Sequence, residues 1–355
     1  MFARHIAAAD PSRPAVVMAG SGEVVSFADY EAAADRAAHH LRSLGVGVGD
    51  HVAILSENQP RMLLAEAAAE RAGVYFTLVN SYLSPEEVAY IVGDCTARVL
   101  YASSSKLAVA REAVAQLAEP VACVLLDGEP DEAARAEGWT PWDDAMAGQP
   151  AGPIADERIG APMLYSSGTT GRPKGIFRTV PDQAPGEALA GTQFLQGLWG
   201  FREGMVYLNP APLYHSAPQA SVAGALRLGG TVVVMERFDA ASWCELVERH
   251  RATHCQMVPT MFTRLLKLPE EVRSGTDASS LEVVVHAAAP CPVPVKTAMI
   301  EWLGPIVVEY YAATEAHGFT FCTSEEWLAH PGTVGRAIVG ALEIRDEHGE
   351  LCPTG

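Results

Sequence analysis

Basic side chains are scarce in this sequence of 355 residues, which has 25 Lys and Arg residues against 43 Asp and Glu residues. The formal net charge is therefore −18 at pH 7. A protein that binds the phosphate backbone of nucleic acid needs a basic face, so this composition argues against nucleic acid as a partner. A small polyphosphate stays compatible with it, because one local loop and a metal ion can meet that charge.

Paired cysteines and long apolar runs are also missing. The seven cysteines are scattered and no Cys-x-x-Cys pair occurs, which predicts buried free thiols in a reducing compartment and no disulfide framework or zinc site. No charge-free apolar stretch of about 18 residues exists to span a bilayer. Met1 to Val17 lacks the uninterrupted apolar core of a signal peptide. We therefore expect a cytoplasmic protein without a transmembrane segment, and the sequence leaves a homodimer open.

Strand and helix patterns alternate along the chain. Continuous apolar stretches such as His51 to Leu55 and Val283 to His286 predict buried strands. Amphipathic stretches such as Phe27 to Leu44 and Val293 to Leu303 predict helices between the strands. This alternation is typical of α/β proteins, in which helices flank parallel-type sheets.

The pattern predicts two α/β sub-domains, at about 1–165 and about 166–330, followed at about 331–355 by the start of a small β-rich sub-domain. Gly128 to Asp156 is rich in Ala, Gly, Pro and acidic residues, which predicts a surface excursion. Val339 to Arg345 predicts a strand followed by a turn.

The most informative segment is Tyr-Ser-Ser-Gly-Thr-Thr-Gly-Arg-Pro-Lys-Gly, at Tyr165 to Gly175. Glycines bring backbone N–H groups close to a ligand, hydroxyls add donors, and Lys174 adds a mobile positive charge. Together these groups suit a polyphosphate. The common helix-opening phosphate loop is different, because here the lysine follows proline and precedes glycine. By composition alone, a flexible surface loop is the alternative interpretation.

This segment closely resembles the signature of the adenylate-forming superfamily, which contains acyl-CoA synthetases, luciferases and peptide-synthetase adenylation domains. The resemblance implies that the segment holds the ATP phosphates while a carboxylate attacks the α-phosphorus, giving acyl-adenylate and pyrophosphate. The residues that it implies for phosphate binding are Ser166, Ser167, Gly168, Thr169, Thr170, Gly171 and Lys174.

A second motif, Tyr310 to Glu315, follows an apolar strand, where side chains commonly face a ligand crevice. Taken alone, Thr-Glu after a strand is more often a helix cap. The segment is similar to the family's Tyr-Gly-x-Thr-Glu motif, with Ala312 where glycine is usual. The resemblance implies that Thr314 meets the α-phosphate, Glu315 holds Mg²⁺ and Tyr311 packs against adenine.

A third segment, His286-Ala287-Ala288-Ala289-Pro290, resembles the family's small-residue adenine shelf, with alanine in place of glycine. By residue type alone it is a loop that ends a strand. The residues implied for adenine binding are Ala287, Ala288, Ala289 and Pro290.

His215 lies in a fourth segment, Asn209 to Pro218, and matches the aromatic or histidine residue that lies between the acid pocket and the thiol tunnel in acyl-CoA and aryl-CoA synthetases. A lone histidine is more often structural. Amino-acid-activating relatives carry an aspartate near this point, whereas no acidic residue lies between Asn209 and Arg227. The resemblance therefore favours a carboxylic acid that is not an amino acid.

The resemblance implies the N-terminal portion of an AMP-forming acyl-CoA synthetase that uses ATP, Mg²⁺ and CoA on a fatty, aryl or bulky cyclic acid. Its catalytic residues would be Lys174, Thr314, Glu315 and His215. An acyl-AMP ligase that loads an acyl carrier protein and a non-catalytic nucleotide or acyl-adenylate binding module are the alternatives. The sequence stops before the family's C-terminal lid domain, so we expect this chain alone to be inactive or partially active.

Overall fold

The computed structural model describes residues 1–166 and 172–353. They form two compact units, Met1–Phe238 and Asp239–Gly355. Each unit combines parallel strands with flanking helices, so the predicted α/β class is confirmed. The sub-domain boundaries near 165 and 330 stay predictions. In the described part of the chain, no helix is long and apolar enough to cross a membrane.

The first unit begins with helix α1 and strand β1 and ends with strand β12. Its strands are β1 Pro14–Met18, β2 Val24–Ser26, β3 His51–Leu55, β4 Tyr75–Val79, β5 Ala97–Ala102, β6 Ala122–Leu125, β7 Trp139–Pro141, β8 Ala161–Pro162, β9 Leu164–Ser166, β10 Lys174–Ile176, β11 Val206–Asn209 and β12 Thr231–Val234. Its helices are α1 Arg4–Ala9, α2 Phe27–Ser43, α3 Pro60–Arg71, α4 Pro85–Asp94, α5 Leu107–Val114, α6 Glu132–Ala136, α7 Trp142–Met146, α8 Ala190–Trp199 and α9 Ser216–Arg227.

The main sheet of this unit is parallel, in the order β7-β6-β5-β3-β4-β8. Strands β3 to β5 are buried almost throughout, as expected where helices cover both faces of a parallel sheet. Helix α2 begins at the Ser26 cap, whose side chain accepts a hydrogen bond from the Asp29 N–H group. Its predicted apolar stripe is confirmed, since Tyr30, Ala34, Ala37, Ala38 and Leu41 are all fully buried. In the same unit, β11, β12 and β1 pair in parallel and β2 joins β1 antiparallel.

The predicted surface excursion at Gly128 to Asp156 is wrong in its middle. Strand β7 pairs in parallel with β6 and extends the sheet. Trp139 and Trp142 are 2% and 5% exposed, so they supply a core contact that the Ala-, Gly- and acid-rich composition of the segment conceals.

The second unit contains helices α10 Ala240–His250, α11 Pro259–Leu266, α12 Glu270–Gly275, α13 Val293–Leu303 and α14 Ser324–Ala329, and strands β13 His254–Met257, β14 Val283–His286, β15 Val307–Ala312, β16 Phe319–Cys322 and β17 Arg336–Val339. Strands β13, β14 and β15 are parallel, and β16 and β17 continue antiparallel.

Two predictions for this unit need correction. The apolar strand that the sequence predicts before Tyr310 continues to Ala312, because its second half pairs with β16. The strand predicted at Val339 to Arg345 is wrong, since the edge strand is Arg336–Val339 and pairs with β16. The turn that follows is confirmed, with the Gly349 N–H group donating to the Asp346 carbonyl at 3.0 Å.

Candidate functional site

The segment predicted to bind phosphate begins and ends in a β-hairpin of the first unit. Ser166 in β9 and Lys174 in β10 are paired across this antiparallel hairpin. Lys174 is exposed and makes no ion pair with any described residue. The predicted phosphate ligands Ser167, Gly168, Thr169, Thr170 and Gly171 lie outside the described residues.

Helix α4 holds both arms of this hairpin through two tyrosine hydroxyls. Tyr165, on the first arm, donates a hydrogen bond to the Asp94 carboxylate at 2.5 Å. Tyr90, on the helix, donates to the Pro173 carbonyl at 3.2 Å on the second arm. Burial, with a further contribution from this hydrogen bond to Asp94, raises the pKa of Tyr165 well above its usual value. Sequence analysis missed these contacts, because nothing in the spacing pairs residues about 70 positions apart in this way.

The segment that carries His215 is positioned by a buried amide from the first unit. The Asn58 side chain donates to the carbonyls of Ala211 at 3.0 Å and Met235 at 2.9 Å, and accepts from the Leu213 N–H group at 2.9 Å. All three bonds reach the backbone, so Asn58 sets the path of the chain just before His215. Sequence analysis missed this residue too.

His215 occupies the N-cap position of helix α9, with its ring exposed. The ring centroid lies 4.5 Å from that of Tyr214. Partial desolvation lowers the pKa of His215, which keeps the imidazole neutral at pH 7. The residue therefore presents a neutral polar ring and no fixed positive charge.

Two carboxyl groups of α3 contact helix α9, although the helix sequence contains none. Glu70 forms a buried ion pair with Arg227 at the C-terminal end of α9, and Glu66 contacts the first half of the helix. Glu66 of α3 is 1% exposed and accepts a hydrogen bond from the Gln219 side chain at 3.3 Å. Burial raises the pKa of Glu66 to about 8, so the group is mostly protonated at neutral pH. The helix beside His215 thus contacts a neutral acid, in keeping with the absence of acidic residues in the sequence from Asn209 to Arg227.

In the second unit, the segment predicted as an adenine shelf, Ala287–Pro290, forms the loop directly after β14; it is called the adenine shelf below. Ala287 is 5% exposed, whereas the next three residues are exposed. Ala288 has a φ of +74°, which is the left-handed region that disfavours residues with a Cβ atom. The small side chains and exposed backbone leave a surface that a flat ring can approach closely.

Of the two neighbouring tyrosines in β15, Tyr310 packs inside the unit and Tyr311 is exposed. Tyr310 accepts a hydrogen bond from the Gln256 side chain at 2.8 Å and stacks on Phe319 at 4.7 Å between ring centroids. Tyr311 is 63% exposed, and its N–H group donates to the Thr320 hydroxyl at 3.2 Å. Tyr311 and Ala312 therefore lie inside β15 and not beyond its end, because pairing with β16 lengthens the strand.

The sheet brings two of the predicted segments together. In the register of β14 and β15, His286 is paired with Glu309. The adenine shelf leaves β14 at this point, and β15 continues from it to Tyr311 and the turn with Thr314 and Glu315. These segments share one edge of the second unit, whereas Lys174 and His215 belong to the first.

A buried charged cluster lies directly below this edge, and sequence analysis missed it. Lys296 of α13 is fully buried, and its ammonium group lies 2.6 Å from Glu309 Oε2. The same oxygen lies 3.4 Å from His286 Nε2. Burial, with a further contribution from the Lys296 charge, lowers the pKa of His286 to about 3, so its ring is neutral. The sequence does contain a signal for this cluster, because Lys296 and Glu309 each interrupt an otherwise apolar stretch.

The residues present fit a magnesium ion that is held mainly by its substrate. Within 1–166 and 172–353, no group of three or more His, Cys, Asp or Glu side chains is arranged to hold a metal ion. Mg²⁺ commonly binds through one or two carboxylates plus substrate phosphates. Glu315 is exposed and has no ion-pair partner among the described residues, so its carboxylate is available for this role.

Comparison with known proteins shows the family and the fold of this chain. The family described as AMP-binding enzyme matches residues 3–355. The 3-hydroxybenzoate–CoA ligase of Aromatoleum sp. (strain CIB) is 29% identical over 344 residues, which cover 95% of this chain and 62% of that protein. The 4-coumarate–CoA ligase 1 of Oryza sativa subsp. japonica is 31% identical over 326 residues, which cover 86% of this chain and 54% of that protein. The chain thus spans between about half and two thirds of these curated relatives.

Among solved structures, the inhibitor-bound N-terminal domain of FACL13 from Mycobacterium tuberculosis has the same fold. Its TM-score is 0.80 at 24% identity, and the match covers 98% of this chain and 84% of that one. The predicted resemblance is therefore confirmed at the level of sequence family and of fold. This chain belongs to the AMP-binding enzyme family.

Proposed function

We propose that this chain binds ATP and an apolar carboxylic acid and joins them as an acyl-adenylate. A carboxylate oxygen attacks the α-phosphorus, the bond from that phosphorus to the bridging oxygen breaks, and pyrophosphate leaves with the electron pair. The acid is already ionised at neutral pH, so this step needs no general base. Catalysis then depends on positioning and on stabilisation of charge.

The observation that carries this proposal is the shared edge of the second unit. The adenine shelf and the exposed Tyr311 ring follow two paired strands, β14 and β15, and such edges commonly bind ligands. In this assignment adenine lies between the shelf and Tyr311, and Thr314 contacts the α-phosphate. Glu315 would hold Mg²⁺, which supplies positive charge to the phosphate oxygens when bound.

The first unit would supply the phosphate and acid contacts. Ser166 to Lys174 would hold the β- and γ-phosphates, and the exposed ammonium group of Lys174, which forms no ion pair with a described residue, supports that assignment. His215 would orient the acid or the incoming thiol as a neutral ring, because its lowered pKa disfavours the charged form.

We propose an aryl or fatty acid as substrate and CoA as the acceptor of the acyl group in the whole protein, with release of AMP. The relatives are named for 3-hydroxybenzoate, 4-coumarate and medium- or long-chain fatty acids, which supports this class. The neutral contact of Glu66 with Gln219 in the first half of α9 supports it too, because an amino acid would need a charged partner for its ammonium group, and the Glu70 carboxylate at the other end of α9 is already paired with Arg227. We also propose a cytoplasmic location, since five of the seven free cysteines are buried.

Pyrophosphate exchange into ATP tests the adenylation step. The acids to be compared are benzoates, cinnamates, fatty acids and free amino acids. Each acid is assayed once with Mg²⁺ and once with EDTA instead of Mg²⁺. We expect exchange with aryl or fatty acids that depends on Mg²⁺, in this chain or, where the chain alone is slow, in the full-length protein. Faster exchange with free amino acids would contradict the substrate class. Transfer of the acyl group to a carrier protein in the absence of CoA, with release of AMP, would contradict CoA as the acceptor.

A further inference from the structure

The buried cluster in the second unit touches both ends of the loop that carries the adenine shelf. His286 is the last residue of β14, directly before the shelf, and Lys296 lies in the first turn of α13, directly after it. Glu309 Oε2 lies 3.4 Å from His286 Nε2 and 2.6 Å from Lys296 Nζ. One carboxylate oxygen therefore contacts the chain on each side of the loop.

The same carboxylate belongs to the strand that carries the other nucleotide-binding segment. Glu309 lies two residues before Tyr311 in β15, at the last parallel pair with β14. Trp327 of α14 covers the Lys296 ammonium group at 4.9 Å from the ring centroid, and Phe262 of α11 meets the His286 ring edge-on at 5.3 Å. Lys296 and His286 are both 0% exposed, so water does not compete for these contacts.

The loop between them needs such support. Ala288 adopts a φ of +74° without being glycine, and a strained residue of this kind persists only where its surroundings determine it. A buried ion pair contributes little net stability compared with apolar packing, but it can specify one arrangement of the groups around it. A buried ion pair at this place is therefore better explained by the arrangement that it specifies than by a gain in stability.

We propose that the Lys296–Glu309 pair positions the adenine shelf against the strand that carries Tyr311 and Thr314. These two are positioning residues, which act through the shelf and touch no substrate. The identification of the ligand as adenine rests on the proposed function. The tether, meaning the contact through which Lys296 and Glu309 hold the loop against β15, does not.

The first test measures the tether without any ligand. The double variant Lys296→Met/Glu309→Leu replaces both charges with apolar groups of similar size and leaves no unpaired buried charge. Hydrogen–deuterium exchange should become about tenfold faster or more in the segments 287–292 and 311–315. The control Asp277→Asn breaks the exposed Arg251–Asp277 ion pair of the same unit and should leave both segments unchanged. Unchanged exchange in the folded double variant would overturn the proposal.

The single variant Glu309→Asp keeps the test decisive if the double variant does not fold. It keeps the negative charge that compensates the buried Lys296 but shortens the side chain by one methylene group, which lengthens its contacts with Lys296 and His286. We expect a smaller rise of exchange confined to the same two segments. A rise spread evenly over the whole second unit would indicate a general loss of stability and would count against positioning.

The second test measures binding of AMP and of inorganic tripolyphosphate by calorimetry. The double variant should bind AMP about tenfold more weakly, with tripolyphosphate affinity unchanged, because the shelf contacts adenine only. Parallel losses for both ligands, or unchanged AMP affinity, would overturn the positioning role. A wild-type chain that binds neither ligand would contradict the proposed function. The hydrogen–deuterium exchange experiment would then decide by itself whether the Lys296–Glu309 pair holds the loop against β15.

Discussion

The stability of the first unit should depend on pH through Glu66. This carboxyl group is 1% exposed, and only Oε2 accepts a hydrogen bond, from Gln219. Among the described residues, Oε1 has no hydrogen-bond partner. Desolvation is thus the main cause that raises the pKa of Glu66 from 4.5 to about 8, and the hydrogen bond to Gln219 opposes it only in part.

The sign follows from the two pKa values. Below pH 4.5 the carboxyl group is protonated in both states and the shift has no effect. As the pH rises from 4.5 towards 8, the unfolded chain releases this proton while the folded chain keeps it, so the free energy of unfolding falls. Between pH 5 and pH 7 this loss amounts to about 2–3 kcal/mol.

The variant Glu66→Gln removes this titration and keeps an oxygen that accepts from Gln219. Urea unfolding of wild type and variant at pH 5, 6 and 7 measures the difference in free energy of unfolding at each pH. We expect this difference to shift in favour of the variant by about 2–3 kcal/mol from pH 5 to pH 7. The control Glu119→Gln changes an exposed carboxylate and should show no such trend. A pH-independent difference for Glu66→Gln would refute the reasoning, since it would mean that burial does not raise this pKa.

Three further predictions concern the nucleotide and acid contacts. Lys174→Ala should weaken ATP binding in calorimetry by about tenfold or more, because it removes one charge-assisted contact, whereas the exposed Lys267→Ala serves as the control that should not. In pyrophosphate exchange on the full-length protein, His215→Phe should keep much of the adenylation rate while His215→Asp loses it, because aspartate places a charge beside the substrate carboxylate; equal losses would contradict a positioning role. Ala288→Gly should raise the free energy of unfolding, measured by urea unfolding, by about 1 kcal/mol, since glycine adopts a φ of +74° without strain. The control Ala289→Gly has no positive φ to relieve and should give no such gain in the same experiment.

Local sequence patterns were sufficient to predict a helix or strand wherever burial of one face of that element drives its formation. Helix α2 follows its apolar stripe to within a residue, and β14 and α13 have the predicted bounds. Periodicity predicts such elements because burial of one face drives their formation. The signature at Tyr165 to Gly175 likewise predicted the family, because a match of eleven consecutive residues is highly specific.

Two features of the sheets depended on pairing partners outside the strand itself. Strand β7 forms because β6 offers it a parallel edge, and β15 reaches Ala312 because β16 pairs with its second half. Neither partner can be read from the residues of the strand itself, since pairing is a property of the sheet.

The sequence by itself determined the family, the α/β class and the identity of the candidate nucleotide-binding segments, because these depend on local periodicity and on short, chemically specific motifs. Only the tertiary structure decided that Glu309 contacts both Lys296 and His286, and that Glu66 packs against Gln219. Each of these contacts joins residues from different elements in an interior that excludes water. The charge state of a carboxyl group depends on that exclusion, which the amino-acid sequence does not show until the chain is folded.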